Sequence, residues 1–321
     1  LDANQQKHDI LYPRQDSLRV NGLLKDSIEF DTKDLVGLNY LCMVVNPYED
    51  LTQTILDQPE LTHINNILQL PFVVKAEEIN PLLDVSFDGR RIMNEDIVSP
   101  TSEILITLKD ENPFLIMSED SDTSRFGVYL KYPDGNQVRI PFIDNQGNSI
   151  MQWTPATEQN KKFKIVFPTQ LTQNGLYELL VQGTDKSGNL SGDLEYRITF
   201  KIILESSITQ LLNYPNPFST STKFVFTLTG SEVPDEFQIQ IFTVTGKVIR
   251  EIDEAELGPV FIGKNISSFA WDGRDRFGDL VANGVYLYRV KAQIGGKEIK
   301  QLESGADDYF KNGFGKMYLI R

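Results

Sequence analysis

Cysteine, histidine and tryptophan are nearly absent from the 321 residues, which hold one, two and two of them. A lone Cys42 excludes a disulfide framework. It lies in the apolar run Leu41-Cys42-Met43-Val44-Val45, where a single thiol is expected to pack as a small hydrophobe. The histidines, His8 and His63, have no Cys/His cluster around them, so neither zinc-ligand spacing nor a nucleophile with its base is present. A Gly-rich phosphate loop and a Gly-x-Ser-x-Gly elbow are also missing. Carboxylates for glycoside chemistry are abundant by composition, but no pattern suggests a deep cleft. No apolar stretch is long enough for a helical membrane span. Leu1 followed by Asp2-Ala3-Asn4-Gln5-Gln6-Lys7 lacks the form of a signal peptide, as expected of a mature form or a fragment.

Positive charge is scarce as well. With 31 basic against 45 acidic residues the formal net charge is −14. That balance repels phosphate backbones and anionic bilayers, so neither nucleic-acid binding nor direct membrane insertion is expected. The acidic residues occur in ones and twos, which reads as a solvated surface, with calcium held between domains as the alternative.

What the chain does have is short β-branched and aromatic runs separated by turn sequences. Strands are expected at Phe72–Lys75, Ile104–Leu108, Gly127–Tyr132, Tyr177–Val181 and Tyr196–Phe200. Turn chemistry lies between them, at Tyr132-Pro133-Asp134-Gly135 and Asp185-Lys186-Ser187-Gly188-Asn189. Helical periodicity is weak, with a turn or two expected at Thr52–Leu61 and Glu303–Lys311. The fold class is therefore all-β, as tandem Ig-like β-sandwich domains. Proline and polar residues interrupt the strand rhythm at Glu77–Pro81 and at Leu204–Pro217. Three modules follow, spanning 1–78, 79–204 and 205–321.

In the first module, Asp34–Tyr40, Val44-Val45-Asn46-Pro47, Pro59-Glu60 and His63-Ile64-Asn65-Asn66 resemble the closing half of a cell-adhesion-type bacterial Ig-like domain. Too few residues precede that half to supply the remaining strands. In the middle module, Asn174–Val181 with Asp185–Asn189 resembles the final hairpin of a bacterial Ig-like repeat. Asp110-Glu111-Asn112 and Glu119-Asp120-Ser121-Asp122 are read as solvated loops, lacking the fixed loop of an EF-hand.

The third module carries the functional signal. Tyr214-Pro215-Asn216-Pro217-Phe218 leads into a strand, and a hairpin turns at Gly246. Trp271-Asp272-Gly273, Asn283-Gly284-Val285-Tyr286 and Gly315–Arg321 follow. Any sandwich needs a core Trp and tight Asp-Gly and Asn-Gly turns, so each element is also explicable as framework. In this order the elements resemble two related families: the flagellar hook-capping-type Ig-like domain, and the type A C-terminal sorting domain of the type IX secretion system of Bacteroidetes. Insertions at Glu251–Ser268 and Glu303–Gly313 lengthen it relative to a typical sorting domain.

The resemblance implies a non-catalytic C-terminal region of a surface protein, directing export and outer-membrane attachment. It implies a shuttle outer-membrane barrel, a translocon and a sortase as partners. Pro215, Asn216, Pro217, Gly246, Gly284, Tyr286 and Lys316 match the family's recognition positions. The whole arrangement resembles the end of proteins whose upstream part is similar to gingipain-type cysteine peptidases. No cofactor is implied, calcium being the one candidate. The alternative is an adhesion module dependent on calcium or carbohydrate.

Overall fold

Among the described residues, five glycine-bearing turns share one hydrogen-bond pattern and set the rhythm of the fold. They span Tyr132–Asn136, Asp144–Asn148, Asp185–Asn189, Thr243–Lys247 and Asp275–Asp279. In each, the first N–H donates to the fifth carbonyl, and the N–H of a glycine in fourth place donates back to the first carbonyl. Those glycines have φ between 85° and 97°, a region costly for any residue with a Cβ. Where Asp leads, its carboxylate accepts from the loop backbone, as Asp275 does from Phe277 and Asp279 at 2.9 and 3.0 Å.

A computed structural model describes residues 1–10, 22–32, 34–45, 66–112, 114–301 and 313–321. Two units are distinct, Leu1–Ile79 and Asn80–Arg321. In the first, β1 (Gly37–Val44) and β2 (Ile67–Val74) form an antiparallel ribbon. Asn39 of β1 is buried, donating to the carbonyls of Leu35 and Gly37. Cys42 corrects the expectation from its apolar run: it is exposed. Its ribbon has no second sheet over it among the described residues, and Leu68, Leu70 and Val73 are exposed too. Pro47, Pro59-Glu60, His63-Ile64-Asn65 and the helical turns at 52–61 and 303–311 lie outside the described residues.

The second unit begins with a sandwich of β3 (Leu82–Phe87), β4 (Asp96–Ile97), β5 (Glu103–Lys109), β6 (Phe126–Lys131), β7 (Gln137–Arg139), β8 (Gln152–Thr154), β9 (Lys162–Pro168), β10 (Gly175–Gly183) and β11 (Tyr196–Ile202). Its sheets run β3-β5-β9-β8 and β4-β11-β10-β6-β7. Inward residues alternate along each strand, as in β5 where Ile104, Ile106 and Leu108 are fully buried.

A second sandwich follows, with its own core. Its strands are β12 (Ser207–Tyr214), β13 (Thr222–Thr229), β14 (Glu236–Thr243), β15 (Val248–Ile252), β16 (Gly263–Trp271), β17 (Gly284–Ile294), β18 (Lys297–Glu298), β19 (Lys300–Gln301) and β20 (Gly315–Leu319). One short helix, α1 (Glu254–Leu257), is capped by Asp253. The sheets run β16-β13-β12-β19 and β15-β14-β17-β18, with β20 also paired to β17.

The two sandwiches of this unit are docked. The Arg90 guanidinium lies 3.2 Å from the Phe261 ring centroid, and burial lowers its pKa from the ordinary arginine value. Gly230 donates to the Ile203 carbonyl at 3.0 Å. Ile97 packs against the second core, and a Cβ on Gly263 would sit 2.6 Å from the Ile97 carbonyl oxygen.

Candidate functional site

The motifs of the third module converge on β20. One edge of this strand pairs with β17, in the rows Gly284–Leu319, Tyr286–Met317 and Leu287–Lys316. The other edge is filled by the Pro-Asn-Pro-Phe segment. Asn216 Nδ2 donates to the Lys316 carbonyl at 2.9 Å, and Asn216 Oδ1 accepts from Tyr318 N at 2.9 Å. The side-chain amide thus does what a neighbouring strand's backbone would do. Phe218 continues the ladder with its own backbone, donating to the Tyr318 carbonyl at 3.0 Å and accepting from Ile320 N at 2.9 Å. The Pro-Asn-Pro-Phe segment therefore occupies that edge. An open strand edge invites association, and here it is covered.

Asn283 holds the next residue in the same manner. Its Oδ1 accepts from Arg321 N at 3.1 Å and its Nδ2 donates to the Arg321 carbonyl at 3.0 Å. The Arg321 guanidinium donates to the carbonyls of Val281, Asp272 and Gly273 at 3.2, 2.6 and 3.2 Å. Under the strand, Met317 and Leu319 are buried beside Trp271. Trp271 packs between Phe218 and Tyr286, both with ring centroids 5.6 Å away, and its indole N–H donates to the Arg274 carbonyl. Tyr286 donates its hydroxyl proton to the Ala282 carbonyl at 2.6 Å. Burial raises the pKa of this phenol, partly offset by the nearby Arg321 cation.

Of the residues expected from sequence, Asn216, Gly284, Tyr286 and Lys316 meet at β20, flanked by the exposed Pro215 and Pro217. Gly246 does not join them. It closes the β14–β15 turn, separated from β20 by β17. Lys316 points its ammonium over the Tyr318 ring, 5.4 Å from the centroid.

Sequence reasoning passed over Phe218, Asn283 and Arg321 as contacts. An internal repeat could have shown what Asn283 does. Asn174-Gly175-Leu176-Tyr177 in the middle sandwich matches Asn283-Gly284-Val285-Tyr286. Tyr177 donates to the Gln173 carbonyl as Tyr286 does to Ala282, four residues back in both cases. Gly175 pairs Ile202 and Asn174 accepts from Leu204 N, just as Gly284 pairs Leu319 and Asn283 accepts from Arg321 N. Gly284 and Tyr286 are therefore framework common to both sandwiches. The Asn216 clasp belongs to the second alone.

The acidic loops fit the solvated reading in part: Glu111, Glu119, Asp120 and Ser121 are exposed, but two aspartates are not. Asp110 and Asp122 are 4% and 3% exposed. Asp122 is buried because Arg125, at 3.1 Å, and Lys186, at 3.5 Å, neutralise it, while Glu119 N donates to its other oxygen. Asp110 accepts from Asn112 N at 3.0 Å. Neither tryptophan offers an open platform for a sugar. Trp271 is fully buried, and half-buried Trp153 donates to Asp120 and meets Phe142 edge-on.

No family model matches the chain, and no curated protein matches it. Among solved structures it is similar to the dimeric latent PorU of Porphyromonas gingivalis, at 16% identity and a TM-score of 0.30, over 75% of this chain and 20% of that one. The chain thus spans a fifth of that protein's length. It is also similar to SGBP-B of a Bacteroides ovatus mixed-linkage glucan utilization locus, in complex with a heptasaccharide. There identity is 9% and TM-score 0.24, over 75% and 60% of the two chains. Fibronectin(III)-like modules of Clostridium thermocellum CbhA match at 12% identity and a TM-score of 0.22, over 71% and 99%. Likenesses at these scores assign no role to any residue here. Among the described residues no helix is long and apolar enough to cross a membrane.

Proposed function

We propose that this chain is a non-catalytic region of a bacterial cell-surface protein, whose last sandwich is read as a sorting signal for type IX export and outer-membrane attachment. The observation that supports the reading most is the convergence on β20. Motifs separated by about a hundred residues of sequence meet there, Asn216 making one hydrogen bond to Lys316 and one to Tyr318 that hold the strand in one geometry. A signal read by an exporter has to be presented in a fixed shape, and an edge closed by a side-chain clasp fixes the strand without leaving it open to stray pairing. In this reading the shuttle barrel docks on the flank formed by Pro215, Pro217, Lys316 and Tyr318. Gly246, Gly284 and Tyr286 support that flank. Any peptidase activity belongs to chain upstream.

The test is made in the producing bacterium, with the parent protein expressed whole or lacking 205–321. Surface accessibility to an added protease, scored by immunoblot, is expected for the whole form only. Equal surface exposure of both forms would overturn the proposal.

A further inference from the structure

The sheet β16-β13-β12-β19 carries no aspartate or glutamate in any strand, in a chain with 45 acidic residues. The absence extends past the strands, from Ser206 to Ser231 and from Gly258 to Trp271. One face of this sheet is spent on the core, through Ile208, Leu211, Phe224, Phe226, Leu228 and Trp271. The opposite face is ordered by register into three rows across β12, β13 and β16: Thr209–Thr227–Lys264, Leu212–Val225–Ile266 and Tyr214–Lys223–Ala270. The apolar row and its neighbour are open to solvent, with Leu212 40%, Ile266 60% and Tyr214 71% exposed. Lys223, on β13 in the last row, and Lys264, on β16 in the first, are exposed and hold no carboxylate among the described residues.

We infer that this face is a docking surface for a protein partner that presents carboxylates beside apolar side chains. Charge decides the class of partner. In a molecule of net charge −14, an apolar face flanked by two unpaired cations and cleared of acids is complementary to an acidic face and repels a basic one. A second copy of this face is disfavoured, because two such faces bring together four cations and no carboxylate. An anionic bilayer is also disfavoured, since adhesion to one takes clusters of about four to eight cations. A β-face with an apolar centre and a polar rim has the anatomy of a protein interface. The surface adjoins the clasp through Tyr214 but is argued independently of export. Neither lysine is among the proposed sorting residues, so either reading can fail alone.

The experiment pans a display library of short random peptides against the full chain. Enriched peptides are expected to combine Asp or Glu with aliphatic or aromatic residues. Their binding should weaken with added salt, and should fall about tenfold or more in Lys223→Glu/Lys264→Glu and in Ile266→Ser. All three positions are exposed, so an unchanged thermal midpoint shows that the variants remain folded. The inference is overturned by no enrichment, by peptides without acidic residues, or by binding indifferent to these substitutions. It is equally overturned if the face is occupied by phosphatidylglycerol vesicles in a flotation assay, or by a second copy of the chain in light scattering.

Discussion

Asn216 offers β20 one donor and one acceptor from a single planar amide, so its truncation removes both at once. Asn216→Ala is expected to cost about 1–2 kcal/mol of unfolding free energy, modest because the group is exposed. It should also speed hydrogen exchange at the Tyr318 amide, leaving Leu319, which pairs with Gly284 on β17, much less affected. Asn216→Asp keeps the acceptor and loses the donor, and should fall between the two. Exchange read by NMR separates the three. Tyr286 and Tyr177 both have phenol pKa values raised, in each case mainly by burial. The folded form therefore keeps its protons where the unfolded chain releases them. This contribution is intact below the ordinary tyrosine value of about 10 and is lost as pH rises above it. Denaturant unfolding across that range should show stability declining with pH, and less steeply in Tyr177→Phe/Tyr286→Phe. An unchanged slope would place the proton release elsewhere.

At the scale of elements, the strands of the second unit were largely legible, because alternation of apolar and polar residues is a local property. Ile104, Ile106 and Leu108 announce both β5 and the face it buries. The Gly-bearing turns were legible for the same reason. What was not legible came from long-range register. Asn283 looked like a turn residue, and only the pairing of Gly284 with Leu319 brings its amide to Arg321. The burial of Asp122 depends on Lys186, far along the chain, and Cys42 is exposed on a ribbon that no second sheet covers among the described residues. Gly315 tests the β17–β20 pair, since a Cβ there would overlap the Tyr288 ring. Gly315→Ala should destabilise the chain by about 1–3 kcal/mol, measured by denaturant titration. Arg90, stacked on Phe261, links the two sandwiches, and Arg90→Ala should cost about 0.5–2 kcal/mol in the same assay.

At the scale of the molecule, charge is distributed by sheet. The acidic excess keeps most of the surface negative, while one face of the last sandwich is cleared of acids and the neighbouring sheet edge is sealed by Asn216 and Phe218. A closed edge and a selective face suit a module that must be recognised without pairing indiscriminately. The most direct test of the sorting role fuses the full chain to an inert periplasmic passenger in a type IX-competent bacterium and quantifies passenger on intact cells by antibody labelling. Surface display with the native chain, and retention in the periplasm when Gly315–Leu319 is deleted, is the predicted result. Display that is equal with and without that strand, or absent with both, would contradict it.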